Sequence, residues 1–257
     1  MKLCDVIKII ESEHPPVLAY DWDNSGLFYG NLEKDINSIT VTLDITYDVV
    51  SQAIKNKSDM ILAHHPFTMS GMKTLSDDSM HSHMVREIIK NDIAVYSAHT
   101  NMDVSANGIN QKLAELFELS DIEILEKNPV YENCGLGRVG ILPNPIELYD
   151  FCNIVKDKLN TPFVRVCGDN KTIKKIAVAS GSCSEYVPYA IKMGADVIIT
   201  ADMKYHHCID FVYDGIAIID AGHFPTERFV QTMFEQLLKD TGIKIIKADI
   251  SDIFKSL

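Results

Sequence analysis

The stretch TVTLDITYDVVSQAIKNKSDMILAHH, residues 40–65, decides the fold class of this chain. It begins with a strand-like run of Val and Thr, continues through a turn into a helical pattern, and ends in a second apolar run followed by two histidines. Two strand-length apolar runs joined by a helix predict a βαβ unit with parallel strands.

The same alternation continues outward from this stretch in both directions. Strands are predicted at Ser38–Leu43, Asp59–Ala63, Ile93–Ala98, Leu136–Leu142, Lys175–Ala179, Asp196–Thr200, Ile216–Asp220 and Lys244–Ala248. Helices are predicted at Lys2–Glu13, Tyr47–Lys55, His81–Asn91, Asn107–Glu118, Pro145–Leu159, Ser184–Met193 and Thr226–Asp240. The pattern is typical of an α/β protein with mixed, largely parallel sheets.

A weak internal repeat accompanies this pattern. Residues 176–202, IAVASGSCSEYVPYAIKMGADVIITAD, again read as strand, turn, helix and strand. Asp59 and Asp196 precede the two second strands, 137 positions apart (196 − 59), and Asp44 and Gly181 at the preceding turns have the same spacing (181 − 44). The repeat indicates two related α/β lobes.

A polar break, EKNPVYEN, separates the two halves of the repeat at Glu126–Asn133. Proline and asparagine in such a run favour a loop. We therefore place the first lobe at residues 1–126 and the second at 127–257, with the option that the C-terminal segment packs back on the first lobe.

Composition restricts the function classes. The formal net charge of −12 argues against a general nucleic-acid binder, which needs a basic face. Six scattered cysteines without a C-x-x-C pair fit reduced thiols in a cytosolic protein. The N-terminus resembles an amphipathic helix and not a signal peptide, and no run is long enough to span a membrane. The sequence predicts a cytoplasmic protein that does not associate with membranes.

Histidines and carboxylates follow three of the predicted strands. The runs are LAHHPF (62–67), SAHTNMD (97–103) and DAGHFPTE (220–227). The carboxyl ends of strands are where open α/β sheets bind ligands. Imidazoles and carboxylates together are the ligand set of first-row divalent metals.

The adjacent His64 and His65 point to a site with two ions. Successive residues of an extended strand face opposite sides, so the two imidazoles could each take one ion. Asp103 and Glu227 could supply negative charge, one of them bridging both metals, as in the two-metal clamp of hydrolases. The alternative for each histidine alone is an ordinary hydrogen-bonded core or surface residue.

These motifs, together with WDNSGL (22–27) and GLGRVG (135–140), resemble the dinuclear metal-centre family usually labelled GTP cyclohydrolase 1 type 2 homologue, also called Nif-three-like. The resemblance covers nearly the whole chain. It implies that His64, His65, Asp103, His223 and Glu227 hold the metals, with Glu227 as the bridge. It also implies two α/β lobes with the metal site in the cleft between them, and a ring-shaped homohexamer built as a trimer of dimers.

Other polar residues near the predicted strand ends have two readings each. His99 could be a further metal ligand or could orient Asp103 by a hydrogen bond. His206 and His207 could contact substrate or transfer a proton, or could lie on a polar helix face. Asp44 could hydrogen-bond to a metal-binding side chain and orient it, or it could cap a helix.

GLGRVG also matches the dinucleotide-binding fingerprint letter for letter. Pro143 and Pro145 follow it at once, so the helix N-terminus that would bind a pyrophosphate is missing. We interpret this segment as a strand.

Two functions of different class remain open. The first is a metal-dependent hydrolase of a nucleotide or related small molecule; the family label suggests opening of the GTP purine ring. The second is a non-catalytic metal-binding, metal-handling or assembly protein that forms a ring. The donor set accepts two zinc, iron or manganese ions without distinguishing among them.

Overall fold

The computed structural model describes residues 1–76 and 79–255. The chain is a mixed α/β protein with two mixed sheets, which confirms the predicted fold class. It divides into two compact units. The first comprises Met1–Met102 and Arg228–Ser251, and the second comprises Asp103–Glu227 and Asp252–Leu257.

The elements are numbered along the chain. The strands are β1 (Gly26–Tyr29), β2 (Ser38–Thr42), β3 (Met60–Ala63), β4 (Ala94–Ser97), β5 (Ser120–Lys127), β6 (Gly135–Glu147), β7 (Arg165–Cys167), β8 (Thr172–Ser182), β9 (Val197–Ala201), β10 (Ala217–Asp220) and β11 (Lys244–Lys247). The helices are α1 (Leu3–Glu13), α2 (Tyr47–Lys55), α3 (Met80–Lys90), α4 (Thr100–Val104), α5 (Ile109–Leu116), α6 (Leu148–Leu159), α7 (Val187–Lys192), α8 (Tyr205–Tyr213), α9 (His223–Glu227) and α10 (Val230–Leu238).

The first unit contains a five-stranded sheet in the order β1-β4-β3-β2-β11. The strands β4, β3, β2 and β11 run parallel, and β1 closes one edge antiparallel to β4. Every residue of β2, β3 and β4 is buried, as expected for central parallel strands covered on both faces. The amphipathic helices α2 and α3 contribute Val49, Val50 and Val85 to the apolar cluster over one face.

The second unit contains a six-stranded sheet in the order β5-β6-β8-β9-β10-β7. The central β8, β9 and β10 are parallel, whereas β5, β6 and β7 add antiparallel partners at the two sides. The residues of β9 and β10 are all buried. The carboxyl ends of neighbouring parallel strands therefore meet on one side of each sheet, four strands in the first unit and three in the second.

An aspartate makes the same kind of backbone contact in both units, at the two positions that the internal repeat relates. Asp59 Oδ2 accepts the backbone N–H groups of Asn37 at 2.8 Å and Ser38 at 3.0 Å. Asp196 Oδ2 accepts those of Lys174 and Lys175, both at 2.8 Å. Asp59 thus ties the start of β3 to the start of β2, and Asp196 ties the start of β9 to β8.

The bounds of the two units differ from the predicted division at residue 126. The polar stretch at Glu126–Asn133 connects the antiparallel strands β5 and β6 of one sheet, so it is a hairpin turn within the second unit. The C-terminal strand β11 pairs with β2 in the first unit. A turn between paired strands and a linker between units have similar polar compositions, which is why the sequence placed the division there.

Short or irregular elements account for the other differences. Each predicted strand corresponds to an observed strand, but β1, β5 and β7 were not predicted, nor were the helices α4 and α8. Strand β7 has three residues, and α8 buries none of its residues, so neither has a clear hydrophobic period. Helix α6 begins at Leu148 and not at Pro145, because β6 continues to Glu147 by pairing with Thr172.

The GLGRVG segment lies in β6, as the sequence predicts, and its arginine serves the core. Arg138 is 2% exposed and donates hydrogen bonds to four backbone carbonyls and to the Gln111 side chain, at 2.8–3.2 Å. Burial lowers the pKa of Arg138 to about 10, so the guanidinium keeps its charge at neutral pH. The hydrogen bonds of this charged guanidinium therefore link several backbone segments of the second unit.

Among the described residues, the structure contains no helix that is both long and apolar enough to cross a membrane.

We expect Arg138→Met to lower the free energy of unfolding by at least about 3 kcal/mol, because several buried carbonyls would lose their donors. Chemical denaturation with urea measures the change. Lys174→Ala, which removes an exposed cation from β8, is the control and should change stability by about 0.5 kcal/mol or less. Equal stability of the two variants would contradict a structural role for Arg138.

Candidate metal centre

Three histidines of the first unit lie together at the carboxyl ends of β3 and β4. His64 and His65 follow β3, and His99 follows β4. One ring nitrogen from each lies within 4.8 Å of the others. The ring centroids are 5.0–5.5 Å apart. The cluster forms because β3 and β4 are parallel neighbours that end at the same edge.

His64 is fully buried, and its Nδ1 lies 2.8 Å from the carbonyl oxygen of Ala98. A carbonyl can only accept, so Nδ1 must carry the proton. The lone pair of the neutral imidazole is then on Nε2, which is the atom available to a metal ion.

Asp44 orients the second histidine. Its Oδ1 lies 2.7 Å from Nδ1 of His65. The cap of α2 is supplied instead by Thr46, whose side chain accepts the N–H of Val49. The structure therefore places the Asp44 carboxylate against the His65 ring and not at the cap of α2.

Asp23 performs the same task for His99. Its Oδ1 lies 2.7 Å from Nδ1 of that ring, and its other oxygen accepts hydrogen bonds from Ser25 and Thr100. Burial alone would raise the pKa of Asp23, but the hydrogen bonds from His99, Ser25 and Thr100 outweigh it and hold the pKa well below its usual range. The ionised carboxylate therefore keeps Nδ1 of His99 protonated.

The second unit presents a corresponding arrangement after β9 and β10. His223 begins α9, and its Nδ1 lies 2.7 Å from Oδ2 of Asp202. Asp202 adopts a left-handed backbone conformation, with φ of 56°, at the end of β9. Nε2 of His223 lies 3.0 Å from a carboxylate oxygen of the buried Glu227, one helical turn further along.

Asp103 and Glu227 are both close enough to Cys183 to affect its ionisation. Burial raises the pKa of the Cys183 thiol, and the negative charges of Asp103, Glu185 and Glu227 raise it further. Asn110 fixes the backbone at Asp103, because its side-chain amide donates to the Asp103 carbonyl at 3.1 Å. Two carboxylates, those of Asp103 and Glu227, therefore lie near the buried Cys183, and that of Glu227 also contacts the imidazole of His223.

Gly181, near the end of β8, leaves room for these side chains. Its φ is +64°, and a Cβ at this position would collide with Oε1 of Glu227 and lie 3.2 Å from Nε2 of His223. Its backbone N–H donates to Thr226 on α9 at 3.1 Å. The backbone of β8 thus approaches α9 so closely that a side chain would displace the Glu227 carboxylate.

His206 and His207 lie on α8, and neither belongs to a group of candidate ligands among the described residues. His206 is exposed, with its ring beside Tyr205. His207 is half-buried against Phe211, and its buried Nδ1 has no hydrogen-bond partner in the described part of the chain.

The donor set fits a first-row divalent metal. Four imidazoles have their Nδ1 held by an oxygen acceptor, so each can offer Nε2. Metal-binding histidines characteristically donate their other N–H to a carboxylate or carbonyl in this way. Imidazole donors favour zinc or iron over calcium and magnesium, which prefer oxygen ligands, and the accompanying carboxylates also suit manganese. The clustered side chains are therefore able to hold a metal ion.

The family model Duf34/NIF3 (NGG1p interacting factor 3) matches residues 1–253. The chain therefore belongs to the Duf34/NIF3 family, which confirms the resemblance found in its motifs.

Relatives of known sequence or structure resemble it over almost their full lengths. A protein of Clostridium perfringens named GTP cyclohydrolase 1 type 2 homolog is 39% identical over 241 residues, which cover 93% of this chain and 92% of that protein. A Staphylococcus aureus hypothetical protein of solved structure superposes with a TM-score of 0.93 at 28% identity, covering 100% and 99% of the two chains. The reduced form of HcgD from Methanocaldococcus jannaschii gives 0.84 at 32% identity, covering 97% and 98%.

Sequence reasoning did not assign a role to Asp23 or Asp202, which orient His99 and His223. Asp23 lies in the WDNSGL motif, which did mark the segment, but its partner is 76 positions away. Asp202 has a clearer signal, since it follows a strand 21 positions before His223, just as Asp44 lies 21 positions before His65.

We expect Gly181→Ala to reduce the metal content of the purified protein, because the new methyl group would displace Glu227 and press on His223. Gly194→Ala is a matched control: its φ is +71°, and a Cβ there meets nothing within 4 Å. Both changes carry a similar backbone strain, about 1–2 kcal/mol. Elemental analysis after supplementation with zinc or manganese measures the difference. Equal metal content in the two variants would contradict the close packing of Gly181 against the ligands.

Proposed function

We propose that this chain binds two divalent metal ions through His64, His65, Asp103, His223 and Glu227 and is a hydrolase of a nucleotide-like small molecule. The observation that carries the proposal is the common anchoring of the histidines through Nδ1. Each of these hydrogen bonds restricts the conformational freedom of a histidine side chain. It therefore orients the ring before a metal ion binds, as a preorganised metal site requires.

The number of donors supports a catalytic role over a purely structural one. A structural zinc site is normally closed by four protein ligands, whereas a catalytic site keeps a position open. Five side chains shared by two ions, even with Glu227 as a bridge, leave positions for water and substrate. Bound ions would supply Lewis-acid activation of water and of a substrate oxygen.

The chain's own residues would complete the chemistry. His99 lies with His64 and His65, and the ionised Asp23 behind it leaves Nε2 able to accept a proton or to act as a further donor. His206 and His207 on α8 are assigned to substrate contact or proton transfer. GTP is the first substrate to test, because the relatives at 39% and 38% identity are both named GTP cyclohydrolase 1 type 2 homolog.

Substitution of the bridging residue tests this proposal. Glu227→Gln removes one negative charge at nearly constant volume, so two adjacent dications would repel with less compensation. We expect the variant to retain fewer than two ions per chain, measured by elemental analysis of protein prepared without chelator and supplemented with metal. Two ions held with unchanged affinity would contradict the bridging role.

The substitutions His206→Ala and His207→Ala separate catalysis from metal binding. Both variants should retain the metals, while lowering any turnover of GTP or of a panel of nucleotides and small phosphate or amide compounds. If the metal-loaded native protein turns over none of these compounds, the hydrolase proposal fails and a non-catalytic metal-handling or assembly protein replaces it.

We further propose that the protein forms a closed homo-oligomer, a hexamer arranged as a trimer of dimers. The support is its resemblance to the family across the whole chain. We expect light scattering at micromolar concentration to give the mass of six chains. A stable monomer would contradict this assembly.

A further inference from the structure

Two cysteine thiols of the second unit lie in contact outside the candidate metal centre. Cys167 ends β7, and Cys208 lies in α8. Their Sγ atoms are 2.6 Å apart, with the Cys167 thiol donating to the Cys208 sulfur. Both residues are partly exposed. A disulfide bond, about 2.05 Å long, would require the two sulfur atoms to approach by only about half an ångström.

A cavity of about 590 Å³ gives access to this pair. It is lined by both cysteines and by Arg165, Met203 and Tyr205, among others. The Arg165 side chain is 63% exposed and pairs with Asp220. A cavity of this volume has the size of a small-molecule site, and an exposed guanidinium at its wall can attract a carboxylate. A small disulfide that carries carboxylates therefore fits its chemistry.

We propose that Cys167 and Cys208 form a reversible dithiol–disulfide site that reacts with small anionic disulfides. The sulfur of Cys208 attacks one sulfur of the disulfide, forms a mixed disulfide and releases one thiol. The sulfur of Cys167 then attacks Cys208 and releases the second thiol. Two protein thiols are oxidised to one disulfide while the small disulfide is reduced to two thiols, which take up the two protons.

The environment of the pair assigns these roles. Burial raises the pKa of the Cys167 thiol to about 12, and its hydrogen bond to Cys208 and the charge of Asp220 contribute. In the contact between the two thiols the Cys167 S–H is the donor, so Cys167 is the protonated partner and Cys208 makes the first attack. Once the Cys208 sulfur is bonded in the mixed disulfide, its contributions to the raised pKa of Cys167 are lost, and Cys167 resolves the intermediate.

The bond would fix α8 against the edge of the sheet. It would join residues 41 positions apart, and α8 carries His206 and His207. The loop before α8 is already tied to the sheet, because the Met203 N–H donates to Asp220 at 3.0 Å. Closing a loop of this length should raise the melting temperature of the oxidised protein by roughly 5–10 °C.

Oxidised glutathione provides the test on the full, metal-loaded chain. We expect the native protein to lose two hydrogens, to retain no glutathione and to regain its thiols with dithiothreitol. Trypsin should yield a linked pair of peptides, residues 166–171 with residues 205–228, each of which contains one of the two cysteines.

Three single substitutions make the result decisive. Cys167→Ser should trap glutathione on Cys208, whereas Cys208→Ser should leave Cys167 unmodified. Cys134→Ser, at another partly exposed cysteine, should react as the native protein does. The proposal fails if the native protein forms no Cys167–Cys208 link or accumulates an unresolved mixed disulfide, or if Cys167→Ser takes up no glutathione.

Discussion

A hydrogen bond from Nδ1 of a histidine to a fixed oxygen acceptor is the interaction on which the candidate metal centre depends. It sets the tautomer, so that Nε2 keeps its lone pair, and it sets the direction in which the ring points. The acceptors are the Ala98 carbonyl and the carboxylates of Asp44, Asp23 and Asp202. None of these acceptors adjoins its histidine in sequence. These four histidines can therefore be ordered only after neighbouring chain segments have paired.

Parallel pairing explains how the same device arises in both units. In the first, Thr42 of β2 pairs with Ala63 of β3, so that Asp44 and His65 each follow their strand by two residues and meet. In the second, Thr200 of β9 pairs with Asp220 of β10, and Asp202 and His223 follow at nearly the same distances. The separation of 21 residues in each pair is the length of chain needed to leave one strand, form a helix and return beside it.

The sequence predicts the buried parallel strands well and the residues that orient the histidines poorly. The buried parallel strands carry continuous Val and Ile runs, and the five proposed ligands occupy motifs shared by a family. Asp23 could not be recognised, because it reaches His99 only through the antiparallel pairing of β1 with β4, and β1 has no strong strand pattern. The division at residue 126 was drawn from composition, which does not distinguish a hairpin turn from a linker. The position of Gly181 against Glu227 is likewise a matter of packing and not of local pattern.

The charges around the proposed ligands indicate how a substrate would be recognised. The two proposed dications would bring four positive charges, and Asp103 and Glu227 would supply two negative ones. Asp44 and Asp202 add negative charge one imidazole away, where the interaction is weaker. The ions would keep a local excess of positive charge and favour an anionic group at contact distance. The chain as a whole carries a formal net charge of −12, which repels an anion at long range, although physiological salt screens it beyond about 8 Å. A nucleotide would therefore be selected by direct contact with the metal centre and not by electrostatic steering. The geometry of the ordered histidines, and not the electrostatic field of the whole chain, would determine which anion binds.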